Sequence, residues 1–243
     1  MSSRLTEYDY EASSYDESRF YSKLGRHLDY MHKKIVGSLL PSSAELMLEM
    51  GVGTGRFTTW LAEKSFDIIG IDISREMLKT SKNKMRVKHT EVSLVLADMH
   101  FLPFRRELFD SCICINVMDH IPDVSNILKE VKGIIKPKGF FIFNISNLQS
   151  PYLAIALLVN LRKKALFKGN IYSRWLTLKE INALSVRNNF NIKEVRGCMI
   201  ATPIPLGERL VMIVRSINLL MESSRLRFFS GSVFIKAQRN PGE

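Results

Sequence analysis

The sequence predicts one α/β domain built on a doubly wound, mostly parallel sheet of seven strands. Short, almost continuously apolar segments alternate with segments whose apolar residues recur at helical spacing. This alternation is typical of a parallel sheet that is covered by helices on both faces. A glycine-rich stretch, "GVGTG" at 51–55, joins the first apolar segment to the next helical one. In such sheets, ligands bind beyond the carboxyl ends of the strands.

Composition sets the broad class of the protein. The 243 residues suit one domain with insertions, and 46% hydrophobic with 24% charged residues is ordinary for a globular protein. The net charge of +11 suits nucleic acid, an anionic membrane surface or a phosphorylated substrate, although solubility alone also accounts for it. Cys112, Cys114 and Cys198 have no CxxC spacing. We therefore expect no zinc site and no disulfide, and infer a reduced, cytoplasmic setting.

The N-terminal region is expected to form an arm and a helix over residues 1–45. Residues 1–17 are polar and rich in Tyr, Ser and Asp, which predicts a loose arm. This stretch has neither the composition of a secretory signal nor that of a transit peptide. From Ser18 to Leu39, apolar residues recur at helical spacing, and Pro41 ends the helix.

The ligand-binding domain is predicted to cover residues 46–243. Strands are expected at "AELMLEM", "FDIIGIDI", "VSLVLAD", "FDSCICINV", "GFFIFNIS", "FNIKEVRGCMI" and "SGSVFIKAQR". Helices are expected at "GRFTTWLAEK", "SREMLKTSKNKM", "VSNILKEVKGIIK" (stopped by Pro137 and Gly139) and "LKEINALSVRNN". Ser74 is expected to cap the second helix, and Thr177 with Glu180 forms a capping box. The last strand is expected to be antiparallel, at or near an edge.

The alternation of strands and helices does not account for two segments, at about 148–174 and 203–226. The first is an apolar run with a basic tail, and the second has an apolar helical face. A helical cover over the sheet explains both. Alternatively, they wall an apolar pocket and the basic tail meets lipid headgroups or a substrate phosphate. The basic residues of that tail are Arg162, Lys163, Lys164 and Lys168.

The glycine loop indicates a ligand close to the backbone. Gly51, Gly53 and Gly55 follow the first strand and begin a helix. Glycine lets the chain turn sharply and lets a ligand approach without meeting a Cβ atom. A G-x-G-x-x-G loop would indicate a dinucleotide, but here the third glycine comes one residue early, so the loop alone does not select the ligand.

Acidic residues stand at three successive strand ends. Asp72 ends the second strand, where a carboxylate accepts from both hydroxyls of a ribose. Asp98 ends the third strand and is placed to accept from an adenine amino group. Glu49 lies at the end of the first strand. Three acids favour a ligand with a cationic amine or sulfonium and disfavour a pyrophosphate.

These motifs resemble those of the class I S-adenosylmethionine-dependent methyltransferases, in the branch that includes the small-molecule enzymes of quinone biosynthesis. "LEMGVGTG" resembles the first family motif, and "GIDIS" the ribose-binding second strand. "ADMHFLPF" resembles the adenine-binding turn. "FDSCICINVMDHIPD" and "ILKEVKGIIKPKGFFIF" resemble the fourth strand with its loop and the following helix and strand. The resemblance covers 46–146 well and implies a Rossmann-like methyltransferase fold with S-adenosyl-L-methionine as cofactor.

The resemblance also implies roles for individual residues. It places the methionine part of the cofactor near the first strand end, the adenosine near the second and third, and the sulfonium above the fourth. The implied cofactor contacts are Glu49, Gly51, Gly53 and Gly55 for the methionine part; Asp72 for the ribose; Ile73, Met77, Asp98 and Met99 for the adenine; and Asn116 under the sulfonium, with Tyr15, Tyr21 and Arg26 closing over the cofactor from the arm.

The expected reaction is methyl transfer to an O, N or C atom of a small, hydrophobic or lipid-linked acceptor. A hydroxyl or amine acceptor needs a base, and His120, just past the fourth strand, is the leading candidate, with Asp119 second. The basic helix at 75–88 leaves an RNA methyltransferase as an alternative, and a non-catalytic, cofactor-binding partner subunit is a third. The sequence predicts a cytoplasmic protein with a peripheral membrane contact as an option. It leaves the oligomeric state open.

Overall fold

The computed structural model describes residues 8–42, 46–150, 175–198 and 229–241. The predicted segments at 148–174 and 203–226, with the basic tail of the first, lie almost entirely outside these residues. Within the described ranges the helices are α1 (Tyr15–Phe20), α2 (Lys23–Leu39), α3 (Arg56–Ala62), α4 (Arg75–Lys88), α5 (Val124–Ile134) and α6 (Leu178–Arg187). The strands are β1 (Leu46–Met50), β2 (Asp67–Asp72), β3 (Ser93–Leu96), β4 (Phe109–Cys114), β5 (Ile135–Asn147), β6 (Trp175–Leu176), β7 (Phe190–Cys198) and β8 (Ser232–Arg239).

The predicted doubly wound, mostly parallel sheet is confirmed. Its seven main strands have the order β3-β2-β1-β4-β5-β8-β7, and the two-residue β6 pairs with β5 alone. β8 is antiparallel to both β5 and β7, so the expectation for the last strand is also correct. The chain winds outward from β1 to β3 and then returns to place β4 against the other side of β1. This reversal opens a crevice at the carboxyl ends of β1 and β4, where sheets of this kind bind ligands.

Successive side chains of a strand point to opposite faces of the sheet, so the core has two layers. On one face, Met47, Ile113 and Ile142 pack with α2 and α3. On the other, Cys112 and Cys114 pack with α5 and α6. Both thiols are buried and unpaired, as expected for two residues on one face of a strand. Within the described part of the chain, no helix combines the length and apolar composition that a membrane crossing requires.

Polar caps begin the helices as the sequence predicts. The Ser74 hydroxyl accepts from the Met77 N–H at 3.1 Å. Thr177 and Glu180 form the complete capping box, since the Thr177 hydroxyl accepts from the Glu180 N–H and the Glu180 carboxylate accepts from the Thr177 N–H. Each cap satisfies N–H groups that have no partner within the helix.

Two predictions about element boundaries are wrong. Residues 8–17 are largely helical rather than loose, and the single helix expected from Ser18 is broken at Tyr21. Ser22 caps α2 by accepting from the Gly25 N–H at 2.9 Å. A Cβ on Gly25 would lie 2.4 Å from the Arg19 carbonyl oxygen, so the two helices meet too closely for a larger residue.

A third correction concerns the start of β5. Pro137 and Gly139 lie inside β5 instead of between α5 and the strand. Phe109 of β4 pairs with Ile135, whereas Ser111 pairs with Phe140. The residues between these two pairs form an irregular excursion, which accommodates a proline that cannot donate to the ladder.

Substituting Gly55 should destabilise the fold. Gly55 has φ +81°, and a Cβ atom there would lie 2.3 Å from the Ser81 hydroxyl oxygen and 3.2 Å from the Ser81 Cα atom. We expect Gly55→Ala to lower the free energy of unfolding by about 3 kcal/mol in urea titrations, because backbone strain and a steric clash add. Gly133→Ala is the matched control: nothing lies within 4 Å of its Cβ position, and helix propensity should raise stability by up to about 1 kcal/mol. Equal effects of the two substitutions would contradict this account.

Candidate functional site

A cavity of about 630 Å³ opens at the carboxyl ends of the first four strands. Drug-sized and cofactor-sized ligands occupy pockets of roughly 300–1,000 Å³. The wall is made by the glycine loop, by the segments that follow β2, β3 and β4, and by the N-terminal arm. The wall includes ten residues of the main domain that the sequence predicted for the site: Glu49, Gly51, Gly53, Asp72, Ile73, Met77, Asp98, Met99, Asn116 and His120.

The glycine loop brings the backbone to the edge of this cavity. Gly51 has φ +76° and Gly53 has φ +54°. The Gly51 N–H donates to the Ile71 carbonyl at 2.8 Å, which ties the loop to β2. A Cβ on Gly53 would meet no atom within 4 Å, so the space that a side chain would fill is left for a ligand. Gly55 lies two residues further on, against Ser81 of α4, and contributes to the loop rather than to the cavity wall.

Asp72 joins the loop to the end of β2. One carboxylate oxygen accepts from the Gly53 N–H at 2.7 Å, and the other accepts from the Ser74 N–H at 2.9 Å. Burial raises the pKa of Asp72, and these backbone donors oppose that rise. Each carboxylate oxygen has a further acceptor site, so both remain available to the two hydroxyls of a ribose.

Glu49 is a buried acid at the end of β1. Its side chain is 4% exposed, and its Oε2 accepts from the Thr58 hydroxyl at 2.7 Å. Burial raises the pKa of Glu49 to about 8, although Thr58 and the charge of Arg56 act in the opposite direction. A cationic ligand group beside Glu49 would favour its carboxylate form.

Beyond β3, Asp98 is paired with a histidine that the sequence did not single out. Asp98 Oδ1 accepts from the His100 N–H at 2.9 Å and lies 2.7 Å from His100 Nδ1. Both side chains line the cavity next to Met99. A polar residue two positions after a strand-end aspartate was the only sequence signal for this pair.

Asn116 adopts the left-handed conformation, with φ +61°, two residues after β4. Its N–H donates to the Asn144 Oδ1 at 2.6 Å, and the Asn144 amide donates to the Asn116 Oδ1 at 3.1 Å. Asn144 is buried and also donates to Ser232 at 3.0 Å. This reciprocal pair holds Asn116 in a conformation that is costly for a residue with a Cβ atom.

His120 faces the cavity from the short helical turn Met118–His120. The preceding residue, Asp119, binds elsewhere: its two oxygens accept from the Ser146 N–H at 2.6 Å and the Ser146 hydroxyl at 2.8 Å. Burial raises the pKa of Asp119, and these bonds oppose the rise. Asp119 therefore anchors the turn to β5, and His120 is the residue of this turn that reaches the cavity.

The N-terminal arm closes one side of the cavity, but not with all the residues predicted. Tyr15 lines the cavity as expected, together with Tyr8 and Phe20. Tyr21 and Arg26 are absent from the lining: Tyr21 is 64% exposed, and the Arg26 guanidinium donates to the Tyr21 carbonyl. The break between α1 and α2 turns both side chains away.

Two acids of the arm attach it to the ligand-binding domain. Asp16 accepts from the Thr54 hydroxyl of the glycine loop and pairs with Lys84 of α4. Asp9 accepts from the Ser74 hydroxyl at the start of α4. These contacts hold the arm over the loop.

The fold and the site define a class of protein: an α/β ligand-binding protein whose cavity has acids at three successive strand ends. Asp72 fits a ribose, Asp98 fits an adenine amino group, and Gly53 leaves room for a ligand close to its backbone. A cationic tail fits Glu49 better than a pyrophosphate does.

Comparison with known proteins finds a methyltransferase domain in the chain. A profile described as a methyltransferase domain matches residues 48–143. The chain is 31% identical over 142 residues to an uncharacterized protein of Methanocaldococcus jannaschii, a match that covers 58% of this chain but only 51% of that protein. It is 25% identical over 172 residues to a ubiquinone biosynthesis O-methyltransferase of Rickettsia felis, covering 70% of each. A Thermotoga maritima structure, described as an S-adenosylmethionine-dependent methyltransferase and possible histamine N-methyltransferase, aligns over 95% of this chain and 98% of its own with a TM-score of 0.67 and 21% identity.

The chain therefore has a methyltransferase domain and the fold of S-adenosylmethionine-dependent methyltransferases, enzymes whose cofactor is S-adenosyl-L-methionine. The fold likeness and the matched domain agree with the motifs at the strand ends.

Proposed function

We propose that the protein transfers a methyl group from S-adenosylmethionine to an O, N or C atom of a small, hydrophobic or lipid-linked acceptor. One observation carries this proposal: His120 and an apolar wall share a single cavity with the three strand-end acids. The apolar wall next to His120 is made by Val117, Ile121 and Pro122. An acceptor bound against this wall would lie beside the end of β4, where the sulfonium is expected.

The chain's own residues would position the cofactor and the acceptor and would remove a proton from the acceptor. The cofactor, when bound, supplies a methyl group on a positively charged sulfur, which is already a good leaving group. Asp72 and Asp98 would hold the adenosine, and Glu49 the methionine end. Positioning two reactants in this way contributes roughly 7–11 kcal/mol in favourable systems. His120 would accept the proton of a hydroxyl or amine acceptor.

The charges of the wall favour an acceptor without a phosphate or carboxylate near the reacting atom. Among the cavity-lining residues that the structure describes, Arg56 is the single arginine or lysine. Its guanidinium pairs with Asp29 at 2.7 Å and lies over the rings of Phe20 and Phe57. This cation is already engaged, so a neutral acceptor suits the site better. The name of the Rickettsia relative, an O-methyltransferase of ubiquinone biosynthesis, supports the same choice.

A basic surface on α4 favours RNA as the second candidate acceptor. Lys79, Lys82 and Arg86 are exposed and lie three or four residues apart, so they share one side of the helix. Lys79 is paired with Glu76 at 2.6 Å, and exposed pairs of this kind are common on solvated helices. An RNA acceptor therefore ranks below a small molecule.

One labelling experiment separates the candidates. The protein is incubated with S-adenosylmethionine that carries a radiolabelled methyl group and with fractionated cell extract. We expect label in the lipid-soluble fraction. Label in the RNA fraction would replace the small-molecule proposal, and cofactor binding without transfer to any fraction would indicate a non-catalytic partner subunit.

Removing His120 should slow turnover and leave cofactor binding intact. We expect His120→Ala to lower kcat by about 100-fold or more with the labelled fraction, which is the range for loss of a general base. The dissociation constant for S-adenosylhomocysteine, measured by calorimetry, should stay within about twofold of the wild-type value. His89→Ala, at the exposed end of α4, is the matched control for both measurements. Unchanged turnover would remove His120 from the mechanism.

A further inference from the structure

We propose that His100 is a positioning residue that orients the Asp98 carboxylate toward the adenine amino group and thereby makes the site selective for adenine. The proposal rests on the cofactor given above and assigns a role to a side chain that the family motifs leave open. It concerns binding of the nucleobase and not the methyl acceptor.

The contacts of Asp98 are all on one oxygen. Within the described part of the chain, Asp98 Oδ1 receives both the His100 N–H at 2.9 Å and the His100 ring through Nδ1 at 2.7 Å. A carboxylate only accepts hydrogen bonds, so Nδ1 carries the proton of this contact. With Oδ1 engaged twice, the plane of the carboxylate is set and Oδ2 is the oxygen left for a ligand.

The segment that carries this pair is itself held in place. The Phe101 N–H donates to the Asp98 carbonyl at 3.0 Å, which closes a tight turn. The Leu102 N–H donates to the Glu130 carboxylate of α5 at 2.9 Å. The side chains of His100 and Asp98 are 22% and 23% exposed, so the pair is largely shielded from solvent while still forming part of the cavity wall. A carboxylate fixed on a rigid segment keeps its selectivity because it cannot turn to suit another ligand.

A fixed Oδ2 discriminates between two purine bases. Adenine presents an amino group, which donates to the carboxylate. Hypoxanthine presents a carbonyl oxygen at the same position, and two acceptors facing each other leave both unpaired. Without the His100 ring, the backbone N–H of residue 100 alone would hold Oδ1. The carboxylate could then rotate and recruit water between itself and the carbonyl oxygen, and the preference would weaken.

Binding of two ligands that differ at this one position tests the proposal. Calorimetry compares S-adenosylhomocysteine with S-inosylhomocysteine, its hypoxanthine counterpart, for the full chain and its variants. We expect the wild-type protein to prefer the adenine ligand by about 100-fold or more. His100→Ala should lower this ratio by about tenfold, the loss expected for a hydrogen bond to a charged group.

Two near-isosteric variants separate positioning from direct contact. The amide nitrogen of asparagine occupies the place of Nδ1, so His100→Asn should keep the ratio close to the wild-type value. Glutamine places its amide at the position of Nε2, so His100→Gln should lose selectivity as alanine does. Rescue by Gln and not by Asn would overturn the proposal, because the ring would then act through Nε2 on the base itself. An unchanged ratio in all three variants would also overturn it.

The experiment also distinguishes this proposal from the cofactor assignment on which it rests. If the wild-type protein binds neither ligand, the cofactor assignment fails and the proposal falls with it. If the wild-type protein binds S-adenosylhomocysteine and the His100 variants keep its selectivity, only the proposal about His100 fails.

Discussion

Asp72→Ala should abolish high-affinity cofactor binding. We expect the dissociation constant for S-adenosylhomocysteine to rise by at least about 100-fold, since two hydrogen bonds to a charged group are lost at 1.5–3 kcal/mol each. The substitution also leaves the Gly53 and Ser74 N–H groups without their present acceptor, so the glycine loop loses one of its ties to β2 and keeps the backbone bonds to Ile71. Calorimetry with S-adenosylhomocysteine measures the effect without an acceptor.

The same strand offers the control for this substitution. Asp67 begins β2, at the end of the strand opposite to Asp72, and is exposed. Asp67→Ala should therefore change the dissociation constant by no more than about twofold. Asp72→Asn keeps one acceptor oxygen, so its affinity should lie between those of the wild type and Asp72→Ala. A dissociation constant for Asp72→Ala within about fivefold of the wild-type value would contradict the ribose assignment.

Glu49→Gln should remove most of the decrease in stability that we expect between about pH 4.5 and pH 8. Burial raises the pKa of Glu49 from its ordinary value of 4.5 to about 8 in the folded protein. The folded state therefore holds a proton that the unfolded state has lost between these two pH values. The stabilisation by the neutral carboxyl is fully present below pH 4.5 and is lost as the pH rises through 8. The loss in free energy of unfolding is on the order of 5 kcal/mol.

Urea unfolding of the wild type and of Glu49→Gln from pH 5 to pH 9 measures this difference. The variant carries no ionisable group at this position, so its advantage over the wild type should grow with pH. Saturating S-adenosylmethionine should reduce that advantage, because a cation beside Glu49 favours the carboxylate. Glu91→Gln, at an exposed position, should leave the pH dependence unchanged. Parallel pH profiles for the wild type and Glu49→Gln would show that Glu49 does not titrate in this range.

The residues predicted from the sequence to form the cofactor site were largely those that meet in the cavity. Asp72, Asp98 and Asn116 lie at or just after the ends of β2, β3 and β4. Parallel strands bring such ends to one edge of the sheet, so position along the chain was sufficient to place them together. The glycines were predictable for the same reason, since three of them between a strand and a helix require a turn that other residues rarely adopt.

The errors in the arm have a local cause. Helical periodicity continues across Tyr21 although the helix does not, because apolar spacing reports which side is buried and not whether the helix is continuous. Ser22 with Gly25, a cap and a residue without a Cβ, was the signal for the break. As a result, Phe20 and Tyr8 line the cavity in the place expected for Tyr21 and Arg26.

The order of strands and helices, the glycine loop and the acids at the strand ends could all be predicted from the sequence. They depend on short-range patterns: the spacing of apolar residues, turn residues and caps. Which polar side chains pair became visible only in the folded chain, as in Asn116 with Asn144 and Asp119 with Ser146. The partners in these pairs lie 28 and 27 residues apart, and what brings them together is the parallel register of β4 and β5, in which Cys114 stands opposite Phe143. Such a register follows from the packing of two buried strands and not from any pattern within either one.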